Sequence, residues 1–110
     1  MAFYIDLNDL RRLGACKEER GLFCNRFGRR ALVTVTNAVR HSDFDWFWLA
    51  HSAFTLENRN KFFTQHSVMY EEYCSGSTSL LKVSRFSRQV AQLAAEILLQ
   101  QGFIAHKEGN

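Results

Sequence analysis

Residues 44–54 read FDWFWLAHSAF, and no other stretch restricts the chain's folding options as much. Phe44, Trp46, Phe47, Trp48, Leu49 and Phe54 are joined by Ala50 and Ala53, so a helix here is apolar nearly all round. On such a helix Phe44, Trp48 and His51 share one face, with Phe47 beside them, while Trp46, Leu49 and Ala53 point the other way. A helix of this kind must be covered on most sides, and its two indole N–H groups need partners or water. The expectation is a core helix enclosed by the rest of the chain. The alternative is partial exposure to a partner or a second copy, because aromatic anchors dominate protein interfaces.

The 110 residues contain no proline, so helices can run unbroken and loops lack rigid corners. A hydrophobic content of 46% is enough for one core and places the chain outside the disordered class. The length fits a single domain, residues 1–110. These points predict an all-α fold.

Asp6 is placed to cap a helix over 8–13, with Leu7, Leu10 and Leu13 on one face and Gly14 at the left-handed stop. A second helix is expected over 17–27, with Glu18 and Glu19 favourable at its positive end, Phe23 and Phe27 one turn apart, and Gly28 as terminator. Residues 32–36 are rich in β-branched side chains and suit a short strand, yet no second stretch reads as its partner. We therefore expect at most one short strand near 32–35, followed by a short helix over 37–40 capped by Thr36. Ser42 or Asp43 would cap the aromatic helix, 44–54. Thr55 would cap a long helix over 56–74, in which Phe62, Phe63, Met69, Tyr70 and Tyr73 lean to one side. SGSTS, 75–79, is a loop. The last helix, 80–101, carries Leu81, Phe86, Val90, Leu93, Ile97 and Leu98 at spacings near 3.6, and Ala91, Ala94 and Ala95 allow close approach; Gly102 ends it. The two long helices are expected to pair as an antiparallel hairpin within a single helical bundle.

The chain is basic, with a net charge of +3, and seven of its fourteen Lys and Arg residues fall in the first thirty positions beside only four acids. Such a region can attract nucleic acid or an acidic protein surface, or simply form solvated helix faces. Three cysteines, Cys16, Cys24 and Cys74, argue against a disulfide framework. Cys16 and Cys24 are eight apart, and His41, His51, His66 and His106 are scattered, unlike the tight pairs of a zinc site; no metal or cofactor is expected. Cys24 could be drawn with His41 or His51 as a dyad, but no motif places the thiol at a helix N-terminus or a nucleophile elbow, and no catalytic residue is assigned. Glu71 and Glu72 point to different helix faces, and capping accounts for at least one of Asp43 and Asp45. No Gly-rich phosphate loop is present, and no apolar run is long enough to span a membrane. Lys82, Arg85 and Arg88 near the start of the last helix suggest nucleic-acid binding, but a helix-turn-helix needs a break that this segment lacks.

Over residues 7–54, LNDLRRLGAC, an aromatic helix ending in RFG, then VTVTNAV and FDWFWLA resemble a group of small bacteriophage and prophage proteins. The shared pattern rests on Leu10, Leu13, Gly14, Ala15, Cys16, Phe23, Phe27, Gly28, Asp45, Trp46, Trp48, Leu49 and Ala50. Beyond Phe54 only YEEYC is similar to the charged Tyr-rich repeats of that group. The resemblance implies a phage-derived accessory protein, which would act in the host cytoplasm, and brings no activity with it; since the residues show no catalytic motif, a non-enzymatic role is expected. Its partner would be a host protein or protein complex, such as a defence complex that polices DNA, blocked in an anti-CRISPR-like or anti-restriction-like manner. Arg26, Arg29, Arg30, Tyr70 and Tyr73 are the candidate partner contacts. A second hypothesis is a small nucleic-acid-binding regulator using Arg11, Arg12, Arg85 and Arg88. A homodimer is compatible with the abundance of aromatic residues.

Overall fold

The computed structural model describes residues 3–76 and 79–105. The chain runs β1 (Tyr4–Asp6), α1 (Leu7–Arg12), α2 (Lys17–Phe27), β2 (Arg30–Leu32), α3 (Val35–Arg40), α4 (Trp46–Ala53), α5 (Leu56–Cys74) and α6 (Leu80–Gln101). It is largely helical, with one small antiparallel sheet.

Local chemistry sets most of these boundaries. Asp6 and Asp9 form a reciprocal capping box at α1: the Asp9 N–H donates to Asp6 Oδ1 at 2.8 Å, and the Asp6 N–H donates to Asp9 Oδ2 at 3.0 Å. Thr55 and Ser79 accept from the N–H groups of Asn58 and Lys82 and start the two long helices where expected. Gly28 and Gly102 follow α2 and α6 with φ of 76° and 79°, a region that favours glycine over residues with a Cβ.

Three expectations are corrected. The strand at Arg30–Leu32 has a partner, and it lies earlier than 32–35: it pairs with Tyr4–Asp6 in the register Tyr4↔Leu32, Ile5↔Ala31 and Asp6↔Arg30. A three-residue strand is too short to show alternation, so β1 left no periodic signal. The Val33 N–H continues the pairing by donating to the Phe3 carbonyl at 2.8 Å, after which the chain turns directly into α3. Thr34, not Thr36, is therefore the cap, and β-branched Val35 and Thr36 are helical. Asp45 rather than Ser42 or Asp43 caps α4, which makes the aromatic helix shorter at both ends than predicted. Phe44 lies in the preceding turn, where its ring packs edge-on against Trp46 at 5.4 Å.

Helix α6 is the axis of the body and packs against α3, α4 and α5. Ala38 of α3, Ala50 and Ala53 of α4, and Ala91, Ala94 and Ala95 of α6 are all buried. Small side chains on facing helices let the backbones come close, while Val90, Ile97 and Leu98 fill the remaining volume. The aromatic run divides by face. Trp46, Leu49, Ala50 and Ala53 are in the core, and the Trp46 Nε1–H donates to the His41 carbonyl at 2.9 Å; Phe47 and His51 are exposed and Trp48 is half-buried.

Helices α5 and α6 are antiparallel: Gln101 meets the start of α5 through Thr55 and Asn58, while Tyr73 meets Phe86 toward the other end. Burial along α6 is confined to its second half, from Val90 onward. Leu80, at 90% exposure, and Leu81 and Val83 lie beyond the cover of the body, so Leu81 does not join the core stripe. The hairpin loop expected at 75–79 falls in part outside the described residues, as does His106.

Candidate functional site

The uncovered half of the hairpin and the outward face of α4 bring their rings together in one row. Starting on α4, His51 lies parallel to Phe63 at 6.0 Å, and Phe63 stacks on Phe47 at 5.3 Å. Phe47 meets His66 at 4.9 Å, His66 meets Phe86 at 5.6 Å, and Phe86 stacks on Tyr73 at 4.6 Å. Tyr70 lies beside His66, Phe86 and Tyr73, at ring separations of 6.1 to 6.3 Å. Helical period produces the row: 63, 66, 70 and 73 are three and four apart on α5.

These rings are not a closed core. Phe47 is 44% exposed and Tyr70 is 50% exposed. Between α4 and the hairpin lies an open cleft of about 240 Å³, lined by Trp46, Phe47, His66, Phe86, Ser87 and Val90 among others. A neighbouring hollow of about 360 Å³ is formed by Asp45, Phe47, Trp48 and His51. Burial among the rings pushes the His66 pKa down. The Tyr70 phenol is pushed up, chiefly by its hydrogen bond with the Cys74 thiol. The other side of the hairpin has a smaller hollow of about 190 Å³, where Met69, Tyr73 and Phe86 meet Glu72, Lys82 and Arg85.

Of the residues singled out from sequence, Tyr70 and Tyr73 belong to the aromatic row. Arg26 is engaged elsewhere: its Nη1 donates to Asp43 Oδ1 at 2.8 Å and its Nη2 lies 2.5 Å from Oδ2, tying α2 to the turn before α4. Arg29 and Arg30 lie apart from the tyrosines and join Arg11 in a groove of about 450 Å³ lined also by Asp6, Leu7 and Asn8. The four arginines of the nucleic-acid hypothesis do not share one hollow. Arg11 lines the groove, Arg85 lines the hairpin hollow, and Arg12 and Arg88 are exposed. Sequence reasoning missed Phe47, His66 and Phe86 as surface groups; the spacing of 63, 66, 70 and 73 was a readable signal that His66 belongs with the tyrosines.

Among the described residues no cluster of three or more His, Cys, Asp or Glu side chains could hold a metal ion, and no helix is long and apolar enough to cross a membrane. Cys16, Cys24 and Cys74 are free and exposed. The chain matches no family model, no curated protein sequence and no solved structure.

Proposed function

We propose that this chain is a non-enzymatic binding protein that docks on another protein through its aromatic row and acts by occupying that protein's surface. The observation that carries the reading is a pair of half-exposed rings: Phe47, which lines a cleft together with the buried Trp46 and Val90, and Tyr70, whose ring lies beside His66 and Phe86 of the same cleft. Aromatic anchors at the centre of a concave apolar patch are the residues that usually dominate protein association. The fitting partner surface offers an apolar or aromatic side chain to the cleft. The resemblance of residues 7–54 to small phage proteins makes a host protein the proposed target, and blocking a defence complex is the proposed consequence. Such blocking requires only a complementary surface.

The test places a photo-crosslinking phenylalanine analogue at position 47, at 70, or at 68, which the helix period puts on the far side of α5 from Tyr70. The reading predicts that one host protein is captured from 47 and 70 but not from 68, and that the purified target loses activity when the chain is added. Equal capture from 68, or a captured protein whose activity is unaffected, would overturn it.

A further inference from the structure

We propose that the groove between α1 and the start of β2 is a binding site for phosphate groups, separate from the aromatic docking face. Its wall carries three guanidiniums drawn from three places in the sequence: Arg11 in the last turn of α1, Arg29 in the connection after α2, and Arg30 as the first residue of β2. The strand pairing assembles them, since Asp6 sits opposite Arg30 and the Leu7 N–H donates to the Arg29 carbonyl at 3.1 Å.

Two of the three cations are held in position by neutral groups. The Arg30 guanidinium lies 4.2 Å from the Tyr4 ring centroid, a cation–π contact, and Arg11 Nη1 lies 3.5 Å from Asn8 Oδ1. None of the three forms an ion pair with a described carboxylate, in contrast to Arg26 with Asp43. The groove's single acid, Asp6, already accepts the Asp9 N–H in the capping box. Three guanidiniums against one lining carboxylate leave the groove with an excess of positive charge, which an anion would relieve.

The number of donors selects the anion. A single carboxylate has one charge and cannot use three guanidinium forks, whereas a phosphate offers more charge and three or more acceptor oxygens, each suited to bidentate arginine contacts. The groove volume of about 450 Å³ falls in the range of sites for small organic ligands, which points to a phosphate carried on a larger molecule. The same chemistry has two sources, a free phosphate compound and a nucleic-acid backbone.

The full chain, labelled with ¹⁵N, is titrated separately with sodium pyrophosphate and with a short single-stranded oligonucleotide. Backbone amides of residues 5–11 and 28–32 are expected to shift in at least one arm. Tighter binding of pyrophosphate identifies a free phosphate compound. Tighter binding of the oligonucleotide identifies the backbone, with a log–log salt slope of about −2 if three phosphates are neutralised. The variant R11Q/R29Q/R30Q should weaken binding by roughly tenfold or more, whereas R85Q/R88Q should leave it unchanged, both with unaltered circular dichroism. Absence of shifts in the groove in both arms overturns the proposal. So does an equal loss in the two variants, which would mean that net charge alone is responsible.

Discussion

The Thr55 N–H donates to the side-chain oxygen of Gln101 at 2.9 Å, across 46 residues of chain, while the Thr55 hydroxyl accepts the Asn58 N–H and caps α5. The same Gln101 oxygen accepts from Asn58 Nδ2 at 2.9 Å, and its Nε2 donates to the Ala53 carbonyl at 3.0 Å and the Phe103 carbonyl at 2.6 Å. One amide therefore ties together the end of α4, the start of α5 and the end of α6.

Replacing Gln101 by Ala removes the partner of the Thr55 N–H and of the Asn58 amide at a half-buried junction. Unpartnered groups of this kind cost about 1–3 kcal/mol. Urea unfolding of Gln101→Ala should show a lower midpoint with an unchanged slope; a midpoint equal to that of the parent would mean that water replaces the amide without loss.

Ala94→Leu tests the close helix approach. Ala94 is buried on α6 in the same core as Ala50 and Ala53 of α4, and extra methylenes in a packed core cost typically ~1–3 kcal/mol. The thermal midpoint should fall by several degrees, about 4–8 °C per kcal/mol for a domain of this size. Leu80→Ser, at an exposed position on the same helix, should leave it within error.

Trp46→Phe deletes the indole donor to the His41 carbonyl and part of a buried ring. The expected destabilisation is about 1–3 kcal/mol, from the lost hydrogen bond and the reduced packing together. Phe47→Ser, one residue on but half-exposed, should cost less in denaturant unfolding and yet abolish docking. Loss of stability in Phe47→Ser equal to that in Trp46→Phe would show that Phe47 belongs to the core instead.

The lowered pKa of His66 carries a sign for acid stability. The unfolded imidazole titrates near its ordinary value, 6.5, and the folded one below it. Between the two values the unfolded chain binds more protons, so stability falls as pH drops from about 6.5 and the loss is complete below the folded value. Unfolding followed from pH 7.5 to 5 should show this decline, and His66→Phe should flatten it. A decline of equal steepness in that variant would assign the effect to other groups.

How far the fold was legible depended on whether local signals existed. The bounds of α2, α5 and α6 follow from Glu18, Thr55, Gly28 and Gly102, each acting within one turn of its own helix. β1 was not legible, because three residues show no alternation and their partner lies about 25 positions away. For the same reason the sequence reading put Arg29 and Arg30 among the partner contacts and Arg11 in the separate nucleic-acid set, and only the strand pairing brings the three into one groove. Tyr70 and Tyr73 were visible as aromatic surface groups, but Phe47 and Phe86, with which they form one row, come from other helices.

From residue types and spacing alone came a largely helical chain with long α5 and α6, alanines where helices must approach, and an aromatic run too apolar to stand uncovered. Those properties depend on backbone propensity and side-chain volume, which each residue carries with it. Tertiary packing alone decided which face of that run is buried: α4 packs against α6 with Trp46, Leu49, Ala50 and Ala53 in the core, and the body ends before the first turns of α6, leaving Phe47 at an open cleft and Tyr70 exposed beside its His66 and Phe86. The lengths of neighbouring elements and their pairing set that division, and neither is a property of any single residue.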